Sequence, residues 1–474
     1  MKKQKIQTIL YLYIIICPIL DCMSFLFRNT FNTNISPSTI LRPLFIILIC
    51  LYIFIKDKKQ RKIFILAGIT YCIYALGHLY IFSILQNNSS YSGIIHEMQY
   101  LANYTFMALN LYVYIYAFYK NKNTEKLYKY ILISISIYCI SLYISMLTGT
   151  ISNTYMLEGM GYKGWFESGN SLSAILVLSM FILLNIFNKK NINFKLKIYT
   201  GIIILLTGIY SILLLGTRVA LYGTILAIIL FGISNLIHTI ISKKISKKQL
   251  IIFIILFITI ILSVIGIIFA FGSNTLKRRE KVEDMASEVV DEVTKEQVHI
   301  TGDLYEIKNR IENGTLEEGY RRKEQQEAVL SLNEIATKYN LSVKQMRTLQ
   351  LIYNVKLANN QSNFLYRLFG NGYVVQYREM VLEMELLAIL INFGLYGFIL
   401  YLVPFFAIYI YSFYIGIKNV KKIDVEYIML ISGGGLAFIL SLLSGYIFFN
   451  ASTTMIIILI NLLLLNKVKE MKKD

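Results

Sequence analysis

Long runs of uncharged residues, such as Ile251–Phe271 and Met455–Leu465 with its flanks, recur along this chain between short polar connectors. Runs of roughly 17–25 apolar residues match a hydrocarbon layer about 30 Å thick. A chain built from them must satisfy its backbone polar groups within helices that cross the bilayer. Composition agrees, since 56% of the residues are hydrophobic against the roughly 45–50% of soluble domains. A cytosolic enzyme, a secreted disulfide scaffold and a peripheral amphipathic protein are thereby excluded.

The formal net charge of +19 has to be located before it is interpreted. Basic clusters occupy every second connector: Lys2–Lys5, Lys56–Lys62, Lys120–Lys129, Lys189–Lys197, Lys243–Lys248, Lys418–Lys422 and Lys467–Lys473. With the adjoining Asp424, Glu426 and Asp474 they hold 27 Lys and Arg against six acids, whereas the rest of the chain holds 20 against 22. Such alternation is the positive-inside pattern, and it accounts for the whole excess without a polyanionic partner. No nucleic-acid partner is therefore expected.

The pattern predicts an all-α, polytopic transmembrane bundle of about twelve spans with both termini in the cytoplasm. The spans fall near 8–20, 39–55, 63–85, 98–119, 128–148, 170–187, 198–215, 219–241, 250–272, 386–415, 427–447 and 451–466. Pro18 and Asp21 interrupt the first, which is too long for a signal peptide and lacks a small-residue cleavage site. The five cysteines lie in or beside spans without metal-ligand spacing and read as small apolar fillers. The organisation is then nine spans over 1–272, a large extracytoplasmic helical loop over 273–382, and three spans with a cytoplasmic tail over 383–474.

That loop carries 16 basic and 16 acidic side chains and is neutral. Lys281–Val298 and Tyr320–Leu357 read as helical, with Asn340 breaking the second stretch. Ser331–Gln350 has the look of a helix-turn-helix but lacks the basic excess of a DNA-binding module. Two helices packed at an angle over the membrane are the better reading.

Three stretches fall at outward ends of spans. In Gly161–Ala174, Trp165 and Asn170 sit in a Gly-rich turn suited to stacking on a sugar ring. In Leu213–Gly223, Arg218 lies at the membrane boundary with no acidic neighbour in sequence. An ionisable group held there is costly, and a guanidinium fork suits phosphate oxygens. In Leu368–Leu402, a Gly370-Asn371-Gly372 turn precedes Tyr373, Arg378, Glu379, Glu383 and Glu385. Partial desolvation at the mouth of an apolar helix would bring a carboxylate there toward general-base range. Glu385 points to a different helix face from Glu383, so its role is expected to be milder.

In order and topology, residues 150–400 resemble the O-antigen polymerase and O-antigen ligase family of bacterial membrane glycosyltransferases. The resemblance rests on Gly164-Trp165-Phe166 with Asn170, on Thr217-Arg218 between two spans, and on the Gly370–Gly372 turn closing the large loop. Leu387, Gly394 and Gly397 match the segment beyond it. One departure stands out: the position that carries His in ligases holds Glu383, followed by Met384. His96 and His299 are the other outward histidines considered. The resemblance implies a polyprenyl-pyrophosphate-linked glycan donor and a glycan acceptor meeting at the bilayer's outer face. It implies Arg218 and Arg378 as pyrophosphate clamps, Glu383 as the base, and Arg42, Trp165, Asn170, Gly370, Gly372, Tyr373 and Glu379 as substrate contacts. No metal and no cofactor are expected, and a flippase and a chain-length regulator are the expected protein partners. Polymerisation of repeat units is the leading reading. Ligase-type transfer of a finished glycan and flipping without chemistry are the alternatives.

The topology is testable by thiol labelling. A cysteine replacing Asn313 should react with an impermeant reagent in intact cells. Labelling only after permeabilisation would place the 273–382 loop in the cytoplasm.

Overall fold

The computed structural model describes residues 2–31, 36–85, 91–119, 124–155, 159–189, 192–241, 265–280 (except 267, 269 and 271), 312–314, 323–339, 341, 346–360, 363–373 and 382–473. The first eight helices are α1 (Lys2–Phe31), α2 (Pro37–Lys56), α3 (Lys58–Tyr80), α4 (Tyr91–Phe118), α5 (Thr124–Leu147), α6 (Gly169–Asn188), α7 (Phe194–Ile209) and α8 (Arg218–Ile241). Then come α9 (Lys323–Tyr339), α10 (Met346–Asn360), α11 (Phe364–Phe369), α12 (Glu385–Tyr401), α13 (Val403–Lys418), α14 (Val425–Leu443) and α15 (Ala451–Lys473). A two-stranded antiparallel ribbon, β1 (Ser152–Asn153) with β2 (Tyr162–Gly164), lies in the loop before α6.

The chain is thus an all-α, multi-pass membrane bundle. Among the described residues nine helices are long and apolar enough to cross a membrane, and α12 with α13, bent by 52°, make a tenth. Of the two other expected spans, one is the 28-residue α4, whose apolar stretch Asn103 and Asn110 interrupt. The other, near 250–272, lies mostly outside the described residues. The expected helix at Lys281–Val298 lies outside them as well, whereas α9 and α10 form and pack together on either side of Asn340.

Two helices form the centre. In α6 and in α15, 89% of the apolar window is buried, against 11% in α3. Helix α6 packs against α7, α8, α14 and α15, so it is enclosed on every side. Its run Leu172–Ile186 is buried all round and apolar except at Ser173, Ser179 and Asn185, as suits a helix without a lipid face. By contrast α3 shows Leu66, Ile69, Ile73 and Leu76 on its surface, and the bilayer supplies their apolar contact.

Among the described residues the lysine-rich connectors collect at one end. There Lys189 and Lys467 lie 3.1 and 3.7 Å from the Glu426 carboxylate, and Tyr128 donates to it at 2.6 Å. At the opposite end, here called the mouth, the helices are broken more often. Helices α3 and α7 each finish there in a π turn, at Ile81–Leu85 and Tyr210–Leu214, a feature frequent at functional sites.

Candidate active site at the mouth of the bundle

Two breaks shape the mouth. Helix α12 is interrupted at Gly394, whose φ of +69° removes it from helical geometry. The turn Gly370-Asn371-Gly372 fills that break: Asn371 N–H donates to Ile391 O at 3.1 Å and Gly372 N–H to Asn392 O at 2.9 Å. A Cβ on Gly370 would sit 2.1 Å from Asn392 O, so the approach needs glycine. The two glycine motifs, separate in sequence, are therefore one backbone interlock. Behind it His78 and Glu97 are fully buried and 2.8 Å apart. His78 Nδ1 lies 2.7 Å from Phe369 O and must donate to it, because a carbonyl only accepts. Glu97 in turn accepts from Tyr373 N–H at 2.8 Å.

The second break is Ser444–Asn450, between α14 and α15. Ser444 N–H still donates to Leu440 O at 2.7 Å, and beyond it the buried Glu385 carboxylate takes three N–H groups. Ile447, Phe448 and Phe449 donate at 2.6, 2.7 and 2.5 Å, and Tyr104 OH donates at 3.2 Å. Glu385 is consequently an anchor within the fold, and Glu383, two residues earlier, is the carboxylate at the surface. Glu383 accepts two bonds of 3.2 Å from Arg347 of α10, while Arg347 also donates to Leu443 O at 2.7 Å. Gln350 Oε1 accepts from Glu383 N–H at 3.4 Å. The large loop is thus docked on the mouth at the position where the ligase-like pattern has its histidine.

Three helix N-termini open on this same end, each capped by a side chain. Ser168 Oγ accepts from Ser171 N–H at 3.4 Å for α6, and Thr217 Oγ1 from Ala220 N–H at 3.2 Å for α8. Asn450 Oδ1 accepts from Ser452 and Thr453 N–H at 3.0 Å for α15. Thr217 and Ser173 hydroxyls lie 2.5 Å apart, and Thr453 Oγ1 donates to Ser171 O at 3.3 Å, so the termini are laced together. Summed peptide dipoles make such ends favourable to anions.

The cations are set around them. Arg218 is the exposed first residue of α8, and among the described residues no carboxylate pairs with it. The 274–280 helix is tied to the α7–α8 corner by Ser273, Asn274 and Thr275, which donate to the carbonyls of Ile212, Leu214 and Thr217 at 2.8, 3.0 and 3.3 Å. That corner closes by contact of Gly216 with the Met160–Gly161 backbone. Arg278, on the same short helix, lies 3.5 Å from the centroid of the Tyr155 ring. Burial pushes the Tyr155 phenol above its usual range, and the guanidiniums of Arg278, Arg347 and Arg218 act against that. Arg278 thus faces Tyr155 directly, and the charges of Arg347 and Arg218, on two other segments, reach its phenol. On the rim, burial raises the Glu167 carboxyl as well, opposed by Arg28 at 2.9 Å.

The remaining expected contacts are distributed differently. Trp165 Nε1 donates to Thr150 Oγ1 at 2.8 Å, and Asn170 is half-buried in the first turn of α6. Arg42 is buried instead, donating to Asp21 Oδ1 and Cys17 O, each at 2.8 Å; its charge is spent inside the fold. Gly370, Gly372 and Tyr373 belong to the backbone interlock, with Tyr373 stacked on Tyr100 at 4.5 Å. His96 is exposed and 3.2 Å from Gln99 Oε1. Arg378, Glu379 and His299 lie outside the described residues. Arg278, Arg347, Tyr155 and the His78–Glu97 pair were not singled out from sequence. The first two sit in a neutral, charge-dense loop where no single basic residue stands out.

A family model described as O-antigen ligase like membrane protein matches residues 3–471. No curated protein matches the chain.

The two carboxylates of the mouth should separate on unfolding. Glu385→Ala strands three buried N–H groups and a phenol, at about 1–3 kcal/mol each. It should cost several degrees of the thermal midpoint in detergent or abolish folded protein. Glu383→Ala removes a half-exposed ion pair worth about 0–1 kcal/mol and should leave the midpoint nearly unchanged. Equal midpoints for both variants would contradict the division into anchor and surface group.

Proposed function

We propose that this chain, which belongs to the O-antigen ligase-like family of membrane proteins, polymerises lipid-linked oligosaccharide repeat units into a cell-surface polysaccharide. The family implies glycosyl transfer in cell-envelope polysaccharide synthesis. Polymerisation is the finer reading, and the mouth is where the transfer is carried out, on the outer face of the membrane, with both termini in the cytoplasm. The placing of Arg278, stacked on Tyr155, and of the exposed Arg218 at one corner beside three helix N-termini supports it.

The chemistry follows from the donor. Its prenyl tail lies in the bilayer, so the pyrophosphate is held at the membrane boundary, at the height of Arg218. The acceptor hydroxyl oxygen attacks the anomeric carbon, the bond from that carbon to the pyrophosphate oxygen breaks, and the electron pair leaves with the pyrophosphate. Charge developing on the leaving oxygen is stabilised by fixed guanidiniums and by backbone dipoles already aimed at it. The acceptor proton passes to Glu383. Its pair with Arg347 is half-exposed and therefore weak, so a pyrophosphate that draws Arg347 frees the carboxylate to take the proton. Trp165 and Asn170 line the approach of the acceptor sugars, and the α9–α10 pair covers them. No metal enters this scheme. A flippase that delivers the donor and a chain-length regulator complete the proposed partners.

Reconstitution with purified polyprenyl-pyrophosphate-linked repeat units tests the proposal. Wild-type protein should yield a ladder of longer glycans on the lipid. Arg218→Lys should lose about 100-fold or more of the rate, since an ammonium cannot reproduce a two-pronged contact with developing charge. Glu383→Gln should abolish chain growth at unchanged protein level. Transfer of a whole glycan to a different acceptor would make the chain a ligase, and donor movement without chain growth would make it a transporter.

A further inference from the structure

At the lysine-rich end, far from the mouth, a groove of about 760 Å³ lies between α1, α5, α6 and α7, within the ~300–1,000 Å³ of ligand sites. Its walls are apolar: Leu12 and Ile15 of α1, Ile133 of α5, and Ile192 and Leu196 at the start of α7. Three ammonium groups, those of Lys126, Lys129 and Lys189, stand among its lining residues against the single carboxylate of Glu125. Two of them are steered by aromatic faces, Lys126 over Tyr11 at 5.1 Å and Lys189 over Tyr128 at 4.0 Å. Lys189 is also balanced by Glu426 at 3.1 Å, whereas Lys129 is exposed and has no carboxylate partner among the described residues. The groove borders lipid-facing surface, since Leu12, Ile16 and Ile198 are exposed. Apolar walls continuous with the bilayer, under a cationic rim at headgroup height, match one chemistry.

We propose that this groove holds an anionic phospholipid of the adjoining leaflet. Its phosphate sits between Lys126 and Lys129, and an acyl chain lies along Leu12, Ile15 and Ile133. The bound lipid completes the contact of α1 with α5 and α7 at the end opposite the transfer site. A basic juxtamembrane pocket of this kind attracts anionic headgroups at about fivefold per lysine. The site rests on the groove alone and stands whether or not the glycan reading holds.

A reporter can be placed in the groove because the chain has one tryptophan, Trp165, at the opposite end. In a Trp165→Phe background, Leu12→Trp puts an indole on the groove wall, at a position already exposed to lipid. Quenching by brominated phosphatidylglycerol should exceed quenching by brominated phosphatidylcholine, with a relative association constant of about 25. Lys126→Gln with Lys129→Gln should bring that ratio near one. Equal quenching by the two lipids, or an unchanged ratio in the lysine variant, would overturn the proposal. Recovery of fluorescence on adding soluble glycerol phosphate would also overturn it, by showing a free-phosphate site. Native mass spectrometry of the unsubstituted chain gives the same comparison, with phosphatidylglycerol retained over phosphatidylcholine if the site exists and the two retained alike if it does not.

Discussion

The buried carboxylate of Glu385, accepting from the N–H groups of Ile447, Phe448 and Phe449, makes the mouth possible. Backbone inside a membrane bundle must find its partners within the protein, yet a site for a charged leaving group needs helix ends and loops at membrane depth. The chain meets both demands by filling each break with a specific acceptor or donor. Glu385 serves the α14–α15 break, and the Gly370–Gly372 turn serves the α12 break. Glu385 lies two residues from Glu383 and the Gly394 break eleven, so the surface carboxylate is carried on a mouth whose backbone is fixed from two sides. Three capped helix N-termini then open toward the same space.

The fold was legible in the sequence wherever a helix is enclosed or evenly apolar. Helix α6 was expected at 170–187 and spans Gly169–Asn188, and α15 was expected to begin at 451 and does. Boundaries were missed where lipid and water give no sharp signal. Helix α1 runs on past Pro18 and Asp21 to Phe31, because Arg42 neutralises Asp21 at 2.8 Å inside the bundle. No window of α1 alone could reveal a partner on α2. The span expected at 386–415 is instead bent between α12 and α13, where Pro404 stands in the first turn of α13.

The site was legible in part, for the same physical reason. Glycines whose positive φ sets a turn announce themselves, and Arg218 stands alone between two apolar runs. What sequence cannot show is which segments meet. Gly370 and Gly394 look like two motifs and are one contact, Arg42 looks like an outward clamp and is an internal pair, and Glu385, expected to have the milder role, anchors the α14–α15 backbone. His78 and Glu97, nineteen residues apart on neighbouring helices, read as isolated polar residues until the structure closes them on the Phe369–Tyr373 turn.

The central claim is that Arg218 and Arg278, brought together at the α7–α8 corner, hold a pyrophosphate at the membrane boundary. Calorimetric binding of a short-chain prenyl pyrophosphate and the matching monophosphate to the detergent-purified protein tests it most directly. Wild-type protein should bind the pyrophosphate about tenfold or more tightly than the monophosphate, one charge-assisted contact being worth roughly 1.5–3 kcal/mol. The preference should vanish in the Arg218→Ala, Arg278→Ala double variant while the thermal midpoint stays in place. Equal affinities for the two ligands in the wild type, or a preference that survives loss of both arginines, would contradict the account.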